Sequence, residues 1–321
     1  MTAMRLHGLD TLRGIAAIMV AAYHAELIVG GQRLFAHGYL AVDFFFALSG
    51  FVMARTYEGR FPSALAFGAM RMRRFAPVMA CGSLFGFVAL LAPAGLPMAS
   101  FLALLSLLYI PWPRGDDGLF PGNPPQWSIL FELVANVLHA AVLQRLGVRT
   151  VLALALACAV LLLAFAAAPD DPPFALFRTL MSYCLGIALY RLRRRLPRLP
   201  YLAAPLVLVG GVAAADLSPV LAWAFLFVAV PTSLISGLTG TRARPWLGAL
   251  SFPLYAVHYP VLMLSRQFGL GSLAGLVAAL GAAAAVTLLF ERRALTQQQP
   301  AARPDGQRGG QPADDSLGQE A

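Results

Sequence analysis

The first apolar stretch of the chain, residues 9–25, contains two basic side chains whose spacing suggests chemistry. Arg13 stands near its start and His24 follows eleven residues later. Eleven residues turn an α-helix through about 1100°, so both side chains share one helix face, roughly 16 Å apart along the axis. Because this separation excludes a salt bridge, it predicts a groove with the arginine at its mouth. The histidine at its deep end is a candidate functional residue.

Three further ionisable residues, Asp43, Glu132 and His258, also lie within apolar stretches. A charge in hydrocarbon costs a few kcal/mol, so such residues are candidates for function by default. Their positions along the predicted helices place all three side chains at the same depth as His24, in the outer half of a membrane. There Glu132 could orient either histidine. The structural alternatives are a cross-helix bond for Asp43 and a packing role for His258.

The composition predicts the elements that position these residues. Hydrophobic residues make up 59% of the chain, charged residues only 12%, and the mean hydropathy is +0.70. About 20 apolar residues are needed for a helix to cross a bilayer. We therefore predict an all-α, polytopic integral membrane protein with about ten transmembrane helices. The expected spans are 11–29, 39–56, 75–95, 127–146, 149–168, 174–190, 201–215, 219–237, 246–265 and 270–290. Residues 98–112 form a shorter apolar run that could re-enter the bilayer.

The basic residues predict the orientation. All 24 are arginines, and ten crossings with both termini in the cytoplasm place most of them inside, as the positive-inside rule requires. The exceptions are Arg33, Arg114, Arg178 and Arg266. Since the arginines are dispersed among short loops, a nucleic-acid partner is not expected. Residues 1–295 are predicted to be one membrane domain, and 296–321 a disordered cytoplasmic tail. No metal-ligand spacing is present, so no metal is expected.

The segment "RMRRFAP" is a candidate phosphate site. It places Arg71 and Arg74 one helical turn apart in a predicted cytoplasmic loop. Guanidinium groups present planar forks of donors that suit phosphate oxygens. The alternative interpretation is a topology signal alone.

Five stretches together resemble, in order, the motifs of the membrane-bound acyltransferase-3 family, bacterial O-acyltransferases that modify surface polysaccharides. They are "LDTLRGIAAIMVAAYHA", "GYLAVDFFFALSGFVM", "RMRRFAP", "WSILFE" and "LGALSFPLYAVHYPVL". The resemblance spans roughly residues 9–290. Phe252 stands where the family commonly has tyrosine, and Ile129 replaces a leucine. The hydrolase-like domain that some relatives append is not expected here, so the membrane domain would acylate its acceptor directly or pass the acyl group to a separate protein.

The resemblance implies a multi-pass enzyme of the bacterial inner membrane that uses acyl-CoA, most simply acetyl-CoA, as a cosubstrate and binds no cofactor. The acceptor would be a hydroxyl of a cell-surface polysaccharide, glycolipid or lipid-linked glycan. The implied catalytic residues are Glu132 and His24, the latter as a general base or as a covalent acyl carrier. The implied donor-binding residues are Arg13, Arg71 and Arg74, and the implied acceptor-binding residues are Asp43, Trp127, Tyr255 and His258.

Three other functions fit parts of the sequence. Some relatives in the family act on cytoplasmic small molecules instead of surface glycans. A secondary transporter would also have about ten spans, but it predicts inverted repeats and broken helices in matching halves, and we find neither in the sequence. A membrane scaffold would not need Glu132 and two histidines at one level.

Overall fold

The computed structural model describes residues 7–31, 35–112, 118–165, 172–215, 217–240 and 245–296, and these contain helices and no strands. The α-helices are α1 (His7–Val29), α2 (Ala41–Tyr57), α3 (Ala64–Leu107), α4 (Gln126–Ala141), α5 (Val148–Ala164), α6 (Pro172–Leu192), α7 (Ala203–Ala215), α8 (Pro219–Ala224), α9 (Val230–Gly237), α10 (Pro245–Gln267) and α11 (Ser272–Thr296). A π-helical turn, Phe225–Ala229, joins α8 to α9.

The helices have the lengths and composition of membrane spans. Within the described residues, six helical segments are long and apolar enough to cross a bilayer, and α5 and α7 are shorter apolar helices. Each of the ten predicted spans overlaps a helix, so the all-α, multi-pass prediction is confirmed. The exact number of crossings and the cytoplasmic position of both termini stay predictions. The predicted tail lies almost wholly outside the described residues.

Helix α3 differs most from the prediction. It begins at Ala64, eleven residues before the predicted span, so "RMRRFAP" lies within a helix and not in a loop. It continues to Leu107 through a bend at Gly95, whose φ of 75° suits glycine. Pro93 and Pro97 flank this bend. Most of the predicted segment 98–112 is therefore the far arm of a bent helix.

Helices α1 and α10 pack side by side and run in the same direction. Gly14 makes this close approach possible, because a Cβ atom there would meet the backbone of Leu247. One turn earlier, Asp10 lies against Gly248 in the same way. Small residues at such crossings let helix backbones come close in membrane proteins.

Helices α2 and α6 form a second parallel pair with even closer backbones. A Cβ atom at Gly186 would overlap the carbonyl oxygen of Ala47, and one at Gly50 would overlap that of Tyr183. Both overlaps involve backbone atoms, which cannot move aside by a change of rotamer.

We expect Gly186→Ala to destabilise the protein by about 1–3 kcal/mol or more, because it forces α2 and α6 apart. Gly281→Ala in α11 is the matched control, since no atom lies within 4 Å of a Cβ added there. Thermal unfolding in detergent should show a lower midpoint for Gly186→Ala only. Equal midpoints for both variants would contradict the observed helix contact.

Candidate active site

The parallel packing of α1 and α10 brings two histidines together. The Nδ1 atom of His24 lies 3.1 Å from the Nε2 atom of His258. Their ring centroids are 5.0 Å apart. The sequence placed these two residues at one depth, and the structure brings them into direct contact.

Backbone carbonyls determine where the protons of this pair lie. The Nδ1 atom of His258 is 3.0 Å from the carbonyl oxygen of Leu254 and 2.9 Å from that of Tyr255. Because a carbonyl oxygen only accepts hydrogen bonds, a neutral His258 must hold its proton on Nδ1 and have its lone pair on Nε2. That lone pair faces His24.

His24 is therefore held as the Nδ1–H tautomer. Its Nδ1 atom also lies 3.0 Å from the carbonyl oxygen of Val20, so this N–H group is shared between two acceptors, Val20 and His258. The lone pair of His24 must then be on Nε2. Within the described part of the chain, no hydrogen bond engages this atom.

The surroundings differ between the two rings. His258 is fully buried, whereas His24 is only partly buried. The rings of Tyr23 and Tyr259 meet that of His24 edge to face, at centroid distances of 4.8 and 5.2 Å. His24 is thus a partly accessible imidazole whose Nδ1 atom contacts a buried imidazole. This arrangement suits a base whose tautomer is fixed.

The start of α4 packs against α10 next to His258. The hydroxyl groups of Tyr255 and Ser128 are 2.6 Å apart, and the Tyr255 ring lies 5.7 Å from that of His258. Trp127, which the sequence predicted as an acceptor-binding residue, packs against the ring of Phe46 at 6.1 Å. Tyr255 thus lies beside the histidine pair, whereas Trp127 packs against another aromatic ring.

Glu132 contacts neither histidine. Its Oε1 atom accepts hydrogen bonds from Ser49 at 2.7 Å and from the Nη2 atom of Arg71 at 3.3 Å. We expected the Glu132 carboxylate to orient His24, but in the structure it binds Ser49 and Arg71 instead. The reason is the longer α3, which carries Arg71 into the bundle, where a buried carboxylate takes the nearest cation.

The structure places Arg71 and Arg74 in different environments on α3. Arg71 is buried against Glu132, and its guanidinium lies 4.6 Å from the centre of the Phe75 ring. Arg74, one helical turn further along α3, is exposed. Because Arg71 is already bound to Glu132, a phosphate site shared by the two guanidinium groups stays a prediction.

Arg13 lies in the first half of α1, as the groove prediction requires. Its side chain is 32% exposed, and its Nη1 atom is 4.0 Å from Asp10. A partly exposed arginine on the helix face that carries His24 fits the mouth of a groove.

Comparison with known proteins identifies the family. A family model described as "Acyltransferase domain" matches residues 6–292. The chain belongs to the acyltransferase-3 family. It is 34% identical over 185 residues to "Protein 2 in picA locus" of Rhizobium radiobacter, covering 49% of this chain and 93% of the relative. It is 26% identical over 296 residues to the "Putative membrane-bound transacylase BcsY" of Komagataeibacter xylinus, covering 82% of this chain and 74% of the relative. No solved structure matches it.

In this acyltransferase, Asp43 lies in an ion pair that the sequence did not reveal. Its Oδ2 atom accepts hydrogen bonds from the Nε and Nη2 atoms of Arg178, at 3.0 and 2.6 Å. Its Oδ1 atom accepts one from Ser182 at 2.8 Å. From the sequence, Arg178 was only counted among the four arginines on the outer side. The available signal was the position of Arg178 near the start of a predicted span, on the outer side where arginines are few. Nothing in the sequence specified its partner.

Proposed function

We propose that this acyltransferase transfers an acyl group, most simply acetyl, from acyl-CoA to a hydroxyl of a cell-surface polysaccharide or lipid-linked glycan. We place it in the bacterial inner membrane. The observation that carries the proposal is the pair of histidines, which leaves the Nε2 lone pair of His24 available to take a proton. Acyl transfer from a thioester to a hydroxyl needs such a base, because a neutral alcohol is a weak nucleophile.

The proposed reaction uses His24 twice. Its Nε2 atom accepts the proton of the acceptor hydroxyl while the oxygen attacks the thioester carbonyl. The tetrahedral intermediate then collapses, the carbon–sulfur bond breaks, and the thiolate leaves with the proton from Nε2. The products are the ester and free CoA, and the enzyme returns to its starting protonation state.

The partners of His24 support both halves of this cycle. Its Nδ1–H group remains bonded to Val20 and His258 while Nε2 gains and loses the proton. The carbonyl oxygen of Val20 stabilises the positive charge of the intermediate imidazolium. A fixed ring orientation keeps Nε2 directed towards the reacting atoms, which is the role a carboxylate has in other catalytic triads.

We assign different supporting roles to the remaining candidates. Tyr255, beside His258, is positioned to hold the acceptor. Glu132 acts on the site through Arg71 and through α4, not by direct contact with His24. A donor that enters from the cytoplasm along the Arg13 face of α1 would meet an outer acceptor at His24, so CoA itself need not cross the bilayer.

The test is label transfer from radiolabelled acetyl-CoA in inside-out membrane vesicles, with vesicles that lack the protein as control. We expect label in lipid-linked or polymeric glycan only when the protein is present. Label that appears in soluble small molecules would show a cytoplasmic acceptor instead. No transfer from acetyl-CoA or longer acyl-CoA donors, with membranes from the native host supplying acceptor, would contradict the proposal.

A further inference from the structure

The hydrogen-bond ladder of α10 is interrupted directly beside His258. Pro260, two residues after this histidine, lies inside the helix. In an α-helix the carbonyl oxygen of residue 256 accepts a hydrogen bond from the backbone N–H group of residue 260. Proline has no N–H group, so the Ala256 carbonyl oxygen loses its helical donor. Because Ala256 is buried, this oxygen needs another donor from the protein.

Asn123 supplies that donor from the loop 118–125, which precedes α4. Its Nδ2 atom donates a hydrogen bond to the Ala256 carbonyl oxygen at 2.9 Å. The two residues are 133 positions apart in the sequence. Asn123 is only 1% exposed, so water has little access to this bond. The amide of Asn123 therefore takes the place of the N–H group that Pro260 lacks.

The rest of the Asn123 side chain gains nothing from being polar. Among the residues that the structure describes, none forms a hydrogen bond with its Oδ1 atom. A buried amide oxygen without a partner costs free energy, and an apolar side chain of similar size, such as leucine, would avoid this cost. The Nδ2 donor is therefore the property for which asparagine is suited at this position.

The loop that carries Asn123 is itself held in place. The backbone N–H group of Asn123 donates to the carbonyl oxygen of Phe120 at 2.8 Å, and its carbonyl oxygen accepts from the N–H group of Gln126 at 2.9 Å. The neighbouring Gly122 packs on Gly86 of α3, where an added Cβ atom would lie 2.7 Å from the Gly122 carbonyl oxygen. The loop is thus fixed against α3 and continues directly into α4.

A second contact holds the same part of α10. Ser128, near the start of α4, lies 2.6 Å from the hydroxyl group of Tyr255. The loop and α4 therefore form hydrogen bonds with two successive residues of α10, Tyr255 and Ala256. His258 follows within one helical turn, and its Nε2 atom lies 3.1 Å from His24. These contacts fix the part of the helix from which His258 reaches His24.

We propose that Asn123 is a positioning residue for acyl transfer, because its amide group replaces the N–H group missing at Pro260 and so keeps His258 in contact with His24. The inference rests on the proposed function for the reaction that is served. Without this donor, the buried Ala256 carbonyl must turn towards another donor, and the resulting shift of α10 moves the His258 ring. A misplacement of about 1 Å can lower a reaction rate about 100-fold.

The first experiment measures acyl transfer by purified Asn123→Ala. Its kcat should fall about tenfold or more, with little change in the KM for acyl-CoA. Gln267→Ala is the matched control, since it also removes an amide that joins α10 to α3, by a 2.7 Å bond to the Ala89 carbonyl oxygen. Gln267 lies nine residues after His258, so this variant should retain the wild-type kcat. An equal loss in both variants, or no loss in Asn123→Ala, would overturn the inference.

A double variant tests the chemical reason. Pro260→Ala returns a backbone N–H group to α10, and this group can bond the Ala256 carbonyl oxygen. In the Pro260→Ala background, Asn123→Ala should therefore lower kcat by less than about twofold. The same comparison serves if Asn123→Ala alone does not fold, because the double variant should fold. A tenfold loss in both backgrounds, or a double variant that does not fold although Pro260→Ala does, would contradict the proposed role.

Nitrogen-15 NMR of the imidazole rings needs no turnover and separates this inference from the proposed function. In Asn123→Ala, the Nε2 signal of His258 should move towards that of an imidazole nitrogen that accepts no hydrogen bond. The signal should keep its wild-type position in Gln267→Ala and return towards it in the double variant. An unchanged signal in Asn123→Ala would overturn the inference. If the signal moves as expected but the wild type transfers no acyl group, the proposed function fails while Asn123 still positions the histidine pair.

Discussion

His24→Ala is expected to lower kcat for acyl transfer by about 10²–10⁴-fold, the usual contribution of a positioned general base. The variant removes the Nε2 lone pair but leaves Arg13, near the other end of α1, intact, so the KM for acyl-CoA should change little. Since His24 is only partly buried, the fold should tolerate the loss.

The measurement is the initial rate of transfer by purified protein at saturating donor, normalised to folded protein. Leu27→Ala is the matched control, because Leu27 lies one turn further along α1 and is 55% exposed. It should retain wild-type activity. If His24→Ala is as active as Leu27→Ala, His24 is not the base and the proposed mechanism is wrong.

The second large effect is expected on stability. Asp43→Ala leaves the buried guanidinium of Arg178 without its carboxylate, and removal of one partner from a buried ion pair costs about 3–5 kcal/mol. Arg178 also donates to the carbonyl oxygen of Tyr39 at 3.0 Å, which compensates only part of the charge. Thermal unfolding in detergent should show a midpoint several degrees lower, with a lower yield of folded protein.

A double variant separates this explanation from the predicted role of Asp43 in acceptor binding. In Asp43→Ala/Arg178→Leu no charge remains buried, so its stability should exceed that of Asp43→Ala. If Asp43 instead contacts the acceptor, Asp43→Ala would keep its unfolding midpoint and raise the KM for acceptor. That result would contradict the structural assignment.

The sequence predicted the helices well where hydrophobicity alone determines them. Apolar stretches such as 11–29 and 270–290 coincide with α1 and α11, because a bilayer demands continuous apolar helices. The prediction was wrong at α3, since the arginines of "RMRRFAP" were assigned to a loop, whereas the helix already begins at Ala64. Their charges are accommodated instead by Glu132 and by exposure at the helix end.

The sequence also predicted the two histidines at one level, because depth follows from position along each span. It could not predict which polar side chains pair, since this depends on how each helix is rotated about its axis. For that reason Glu132 was assigned to a histidine although it binds Arg71, and Asp43 lacked its partner Arg178. Arg55 and Arg193, 138 positions apart in the sequence, line one cleft only because of tertiary packing.

The central claim is that His258 holds His24 as the tautomer with a free Nε2 atom. Nitrogen-15 NMR of the protein labelled in its imidazole rings tests it directly, with the His24 signals assigned by their absence in His24→Ala. We predict a protonated Nδ1 and an unprotonated Nε2 for neutral His24. A protonated Nε2 in the neutral ring would contradict the account, because that atom could not accept the proton of an acceptor hydroxyl.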